Sequence, residues 1–224
     1  MRKNGIIIAI DGPTGSGKST TAKRVAERLG FLHLNTGAMY RAFALLVRRR
    51  DHHGHDADRI HTLIEEAKIS FNDNGNIMLD GADVSREIQE PDIALLASEL
   101  STNPEVRAKL VEKQRMIGKD GGVVLEGRDI GTVVFPDAEL KIFLVADQLV
   151  RAERRMLELD RLGTHIPLDE LSQQIAERDK RDRERPISPL LQAPDAIEVD
   201  TTHLTFEGQV ERVLVLARER MGHG

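Results

Sequence analysis

Eight consecutive residues, Gly12-Pro13-Thr14-Gly15-Ser16-Gly17-Lys18-Ser19, carry the spacing with which a chain wraps a phosphate group. Glycines there let successive backbone N–H groups turn toward one anion, at the positive end of the helix that follows. Lys18 would bridge the β- and γ-phosphates of a nucleotide, and the Ser19 hydroxyl would bind the magnesium that the nucleotide carries. The plain alternative is a glycine-rich turn before a helix; both the spacing and the flanking apolar run Ile6 to Ile10 favour the phosphate loop.

Transfer of a phosphoryl group to a second phosphate makes a particular demand. Two anions must approach in line against their repulsion, which asks for several guanidinium groups and little general-base help. Arg178, Asp182 and Arg185 stand at i, i+4 and i+7 and continue a helix face whose base is Leu168, Leu171 and Ile175. A solvated helix with an Arg178–Asp182 ion pair is the other reading of that face. Arg151, Arg154 and Arg155 offer further phosphate clamps, although for any one of them a surface ion pair is the safer choice. Glu126-Gly127-Arg128-Asp129 follows the apolar run Val123 to Leu125, at the carboxyl end of a predicted strand, where ligands bind in open α/β sheets. Arg128 could hold a phosphate there and Asp129 accept hydrogen bonds from a base or sugar; an Arg-Asp pair tightening a turn is the alternative. The stretch Asp51-His52-His53-Gly54-His55-Asp56 lacks a ligand framework and reads as an exposed loop rather than a metal site.

The elements that must position these groups alternate in type. Strands are expected at 5–10, 32–34, 123–125, 140–145 and 197–200. Helices are expected at 18–29, from Met39 to about Arg49, at 91–101, 104–118, 147–161 and 168–184, and on the closing stripe Val210, Val213, Leu214 and Ala217. Asn103 and Pro104 form a helix-start signal. Between Lys68 and Val84, the turn pairs Asn74-Gly75 and Asp80-Gly81 separate short apolar pieces, as in a three-stranded antiparallel meander. The fold class is therefore α/β: a three-layer phosphate-loop fold with a central parallel five-stranded sheet flanked by helices, a small three-stranded insert and an Arg-rich helical appendage. One domain is expected over residues 1–224, with the insert at about 62–92 and the Arg-rich helical appendage, a lid by the resemblance given below, at about 147–186.

Composition narrows the classes. The 224 residues hold no Cys and no Trp, which excludes disulfides, thiolate catalysis and Cys-based zinc sites, and leaves a core of Val, Ile, Leu and Ala. A net charge of −5 argues against long nucleic acid or an anionic membrane surface as partner. The first apolar run is shorter than a signal-peptide core, and nothing later reaches the length of a membrane span. A cytoplasmic monomer acting on small molecules is expected.

Through nearly its whole length the sequence resembles the bacterial cytidylate kinases. The resemblance is carried by IAIDGPTGSGKST, NTGAMYR, the NG/DG meander, EGRDIGTVVFPDA with KIFL, and ERDKRDRERPISPL. It implies transfer of the γ-phosphoryl group of ATP, with Mg2+, to CMP or dCMP, giving CDP or dCDP and ADP. It also implies that the meander binds the nucleoside monophosphate and that the Arg-rich helices close over ATP. By resemblance the donor is bound by Gly12, Pro13, Thr14, Gly15, Ser16, Gly17, Lys18, Ser19, Thr20 and Arg154, with Ser19 on the metal. Thr36, Gly37, Tyr40 and Arg41 would line the acceptor pocket, and Ser98, Arg107 and Asp129 would recognise cytosine. Arg41 and Arg128 would face the acceptor phosphate, Arg178 and Asp182 the ribose, and Arg185 the reacting phosphates. Lys18, Arg128, Arg178 and Arg185 would carry catalysis. Thr14 and Thr36 stand where Ser is common, and Glu126 where some members have Asp; Glu126 could touch a metal-bound water or make a structural hydrogen bond. A kinase for another small acceptor, or a nucleotide-dependent binding module, is the rival function.

Overall fold

Ile7–Asp11 forms the first strand, and all five of its residues are buried, as a near-continuous apolar run requires when helices cover both faces of a parallel sheet. The computed structural model describes residues 2–50, 57–72, 75–161 and 163–222. The His-rich stretch 51–56 and Asn74 lie outside the described residues. Elements follow in the order β1 (Ile7–Asp11), α1 (Lys18–Leu29), β2 (Leu32–Asn35), α2 (Thr36–Arg49), α3 (Ala57–Glu66), β3 (Ile69–Phe71), β4 (Ile77–Leu79), β5 (Ala82–Asp83), α4 (Pro91–Leu100), α5 (Pro104–Gly118), β6 (Val123–Gly127), β7 (Leu140–Val145), α6 (Gln148–Arg161), α7 (Leu168–Glu184), β8 (Ile197–Asp200) and α8 (Phe206–Gly222). A π-helical turn, Ile130–Val134, follows β6.

Two compact units divide the chain, one made of residues up to 33 together with those from 120 onward, the other of residues 34–119. The five-stranded sheet has the order β2-β6-β1-β7-β8, and β1 pairs in parallel with β6 and β7, β7 with β8. Ile8 stands opposite Val124 on one side and Leu140 on the other. In the larger unit, Ala22, Val25 and Ala26 of α1 and Val210, Val213, Leu214 and Ala217 of α8 close over Ile8, Ile10 and Ile142 as one apolar cluster. The α6–α7 hairpin has its own small cluster, Ala152, Leu159, Leu171 and Ile175.

In residues 34–119, Phe43 and Leu45 of α2 are fully buried with Ile60 and Ile64 of α3, Ile69, Ile77 and Leu79 of the meander, Ile93, Val106 and Leu110. The meander is antiparallel, Ile69 facing Leu79 and Met78 facing Asp83. Its third strand is the pair Ala82–Asp83, just before the buried Val84 where the sequence placed it. The expected start of α5 is present: the Asn103 side chain accepts from the N–H groups of Glu105 and Val106. Helix α3 was not expected, although Ile60, Leu63 and Ile64 have helical spacing and are buried.

One expectation is corrected at the end of α7. The helix stops at Glu184, and Arg185 leaves it in an extended conformation (φ −60°, ψ 138°), so it is not a further turn of the face that holds Arg178 and Asp182. Pro186 accounts for this, since the residue before proline is pushed out of the helical region.

Candidate active site

The phosphate loop joins β1 to α1 under tight steric control. Gly12 adopts φ +148°, and a Cβ there would fall 2.1 Å from the Leu144 carbonyl oxygen, so only glycine fits. Gly17, left-handed at φ 87°, caps α1 without a side-chain hydrogen bond. The first N–H groups of a twelve-residue helix are thus left uncovered by any side-chain cap, the arrangement that suits an anion. Buried Lys18 donates from Nζ to the Pro13 carbonyl at 2.5 Å and to Ser16 Oγ at 3.4 Å. Burial, and then the Arg128 charge, push its ammonium well below the ordinary lysine range. Positive charge is therefore crowded at the loop, where a polyanion gains most.

Behind the loop, Ser19 Oγ donates to Glu126 Oε2 at 2.6 Å, and His33 Nε2 lies 3.4 Å from Glu126 Oε1. Burial is the largest influence on Glu126 and acts upward. His33, Ser19 and Lys18 together outweigh it and hold the carboxyl below its usual range, so it is ionised. A hydroxyl and a carboxylate oxygen suit a small hard cation. Among the described residues no group of three or more His, Cys, Asp or Glu is placed to hold a metal. A cation here would take most of its ligands from phosphate and water, as magnesium does with nucleotides.

Arg128, Arg178 and Arg185 belong to the same unit as the loop. Arg128 Nε donates to Asp182 Oδ2 at 2.8 Å, and its Nη2 donates to Thr14 Oγ1 at 2.9 Å. Burial pushes the Asp182 carboxyl up, but Arg128, then Arg178 and Arg185, overcome it and hold the group below the carboxylate range. The same Arg128 and Arg178 act on Lys18. Arg128 and Arg178 are thus felt at both Lys18 and Asp182, and Arg185 at Asp182. Arg185 Nη2 lies 3.8 Å from Asp129 Oδ1, and its Nε donates to the Ser188 carbonyl at 2.5 Å. Asp11 accepts from the N–H groups of Ile130 and Gly131 at 2.9 and 2.8 Å, fixing the turn that follows Arg128 and Asp129. Burial drives the Asp11 carboxyl up to about 6 against those two bonds. Arg154 is tied to Thr201, donating from Nη1 to Oγ1 at 3.0 Å and from Nη2 to the carbonyl at 2.6 Å; Thr201 Oγ1 donates to the Ser16 carbonyl at 3.3 Å.

Residues 34–119 collect most of the other predicted contacts. Thr36 and Gly37 open α2, where the Asn35 side chain accepts from the Ala38 N–H at 3.0 Å. The Arg107 guanidinium lies over the Tyr40 ring, 5.6 Å from its centroid. Arg107 Nη1 donates to the Ser101 carbonyl at 3.1 Å, and Ser101 Oγ to the Ser98 carbonyl at 2.8 Å, with Ser98 and Arg107 both buried. Arg41 donates from Nη1 to Gln89 Oε1 at 3.3 Å.

Three residues escape motif reading. His33 follows no pattern. Arg151, for which a surface pair is the safer sequence reading, is buried against Asp179, which the arginine-rich run disguises. A signal for Asp179 was available: Leu171, Ile175, Asp179 and Asp182 fall on one helix face, and all four are buried.

A family model described as Cytidylate kinase matches residues 8–219. A cytidylate kinase of Geobacter sp. (strain M21) is 45% identical, covering 100% of this chain and 97% of its own length. One from Thermosipho melanesiensis is 46% identical over 95% and 97%. A bifunctional pantoate ligase/cytidylate kinase of a Synechococcus strain (JA-2-3B'a(2-13)) is 46% identical, and the chain spans 40% of that longer protein. Among solved structures, a shikimate kinase from Acinetobacter baumannii in complex with shikimate superposes with a TM-score of 0.50 at 13% identity, over 97% of this chain and 95% of that one, a likeness of fold.

Proposed function

We propose, from the premise that the chain belongs to the cytidylate kinase family, that it transfers the γ-phosphoryl group of ATP to CMP or dCMP, releasing CDP or dCDP and ADP. The observation that carries this is that Arg128 bonds both Thr14 of the glycine loop and Asp182 of α7, with the buried Lys18 ammonium in the same loop. Phosphoryl transfer between two phosphates needs positioning and charge neutralisation, and the acceptor oxyanion needs no base. The loop Gly12–Thr20 holds the donor phosphates, Lys18 bridges β and γ, and Arg154 serves the donor from α6. Magnesium would be held by Ser19, with Glu126 and His33 behind it, and would supply neutralisation of the β/γ charge.

Arg128 and Arg185 meet the reacting phosphates, and Arg178 and Asp182 the ribose. Thr36, Gly37, Tyr40 and Arg41 line the acceptor pocket. Ser98, Arg107 and Asp129 are assigned to cytosine, whose amine donates while its ring nitrogen and carbonyl accept. Uracil reverses the first two of these roles and would leave buried groups unpaired. Residues at about 62–92 would serve as the monophosphate-binding insert, and those at about 147–186 as a lid that excludes water. No helix among the described residues is long and apolar enough to cross a membrane. A cytoplasmic monomer working on small nucleotides completes the proposal.

The test is ADP release with CMP, dCMP, UMP, AMP and GMP in turn. CMP or dCMP should exceed the others in kcat/KM by at least about a hundredfold. Turnover indifferent to the acceptor would contradict the assignment. Asp129→Ala should erode the preference for cytosine over uracil, and unchanged discrimination would withdraw that residue's role.

A further inference from the structure

Thr14 is gripped at backbone and side chain by the two helices that follow β7. Its N–H donates to Asp179 Oδ1 at 3.0 Å, and its carbonyl accepts from Arg151 Nη1 at 2.9 Å. Arg151 closes the ring by pairing with Asp179 Oδ2, and donates from Nε to the Ala146 carbonyl at 3.0 Å. The Thr14 hydroxyl accepts from Arg128, which in turn holds Asp182 one turn of α7 beyond Asp179. At the next residue the fit is as close: a Cβ on Gly15 would lie 2.9 Å from the Arg151 carbonyl oxygen. The Arg151 and Asp179 side chains are only 7% and 5% exposed.

An ion pair so buried adds little net stability, because desolvation offsets its attraction. What it supplies is geometry. One carboxylate orients the N–H of a peptide while the guanidinium on that carboxylate orients the same residue's carbonyl. The two peptide planes that flank Thr14 are each fixed from outside, at the start of the run of N–H groups from Gly15 to Lys18.

We propose that Arg151 and Asp179 are positioning residues that couple the posture of the α6–α7 hairpin to the shape of the phosphate loop. With the ring closed, the loop is set to receive the donor phosphates. By thermodynamic reciprocity, phosphates in the loop favour the closed ring and so the hairpin posture that goes with it. The pair touches no substrate; it acts through Thr14. The coupling rests on reading the loop as the ATP site.

Asp179→Ala, Asp179→Asn and Arg151→Ala/Asp179→Ala test it. Four quantities are measured for each: KM for ATP, KM for CMP, ATP affinity by calorimetry, and the amide resonance of Thr14 in a 15N-labelled sample. Asp179→Ala should raise KM and Kd for ATP by about tenfold, within the usual range of intersite coupling, while KM for CMP stays unchanged. The Thr14 amide should move upfield as its charge-assisted bond is lost. Asp179→Asn, which keeps an acceptor oxygen, should recover part of the ATP affinity, and it serves as the reporting variant if the alanine fails to fold. The double variant should be no weaker for ATP than Asp179→Ala, since the two side chains form one device. An unmoved Thr14 amide, or equal losses for ATP and CMP, would overturn the coupling while leaving ATP binding by the wild type intact. A wild type that gives no heat with ATP would overturn the donor-site reading and the coupling together.

Discussion

The sheet under the phosphate loop and the α6–α7 hairpin beside it are built by opposite means. Beneath the loop, Ile8, Ile10, Val25 and Leu214 are fully buried in a continuous apolar layer. In the hairpin, the buried apolar cluster among the described residues is Ala152, Leu159, Leu171 and Ile175, and ion pairs do the rest: Arg151 with Asp179, Arg128 with Asp182. A packed apolar layer has one good arrangement and resists displacement. The Arg128 guanidinium held by Asp182 can exchange that partner for a phosphate at modest cost, since two oxygens of either group can accept its paired N–H groups. On the proposed function, the difference would separate two tasks, a fixed cradle for the donor and a movable set of cations for the group in flight.

The largest expected effect falls on the charged side. Arg185→Ala should lower kcat about 10²- to 10³-fold with the fold retained, because charge stabilisation at the transferring group is lost. Near-normal turnover would return Arg185 to a structural partner of Asp129. On the apolar side, Leu214→Ala should cost about 2–5 kcal/mol in urea unfolding, through lost burial and the cavity left behind. Ile175→Ala in the hairpin should be read first as faster proteolysis within 148–184, with a smaller change in the unfolding midpoint. Equal losses from the two substitutions would erase the contrast between the regions.

A smaller signature belongs to Asp11 at the head of the sheet. Its carboxyl is raised to about 6 in the folded chain from the ordinary 3.8, so the folded state keeps a proton that the unfolded state releases. Its contribution to stability is complete below about 3.8 and is lost as pH rises through about 6. The stability of the wild type relative to Asp11→Asn should therefore decline across that interval, and a flat difference would remove the burial argument.

Much of the cradle was legible because its signals are local. Glycines at 12, 15 and 17 and the stripe Ala22, Val25, Ala26 set the loop and α1 without reference to the rest of the chain. Asp80-Gly81 marks the turn of the meander for the same reason, since both residues adopt positive φ, 51° and 85°. The grip on Thr14 was not legible, since Asp179 lies 165 residues away and Arg151 137. A charged run gives no hint of which acid meets which base across such separations. Periodicity gave Arg185 the wrong local geometry, because Pro186 ends the helix before it.

Hydrogen exchange, read segment by segment, tests the contrast most directly. Without nucleotides, the amides of 148–161 and 168–184 should exchange through openings of lower free energy than those of β1 and β6. Addition of Mg2+, ATP and CMP should slow the hairpin strongly and the strands hardly at all. Equal protection of hairpin and strands, unchanged by the nucleotides, would contradict a fixed cradle served by a movable pair of helices.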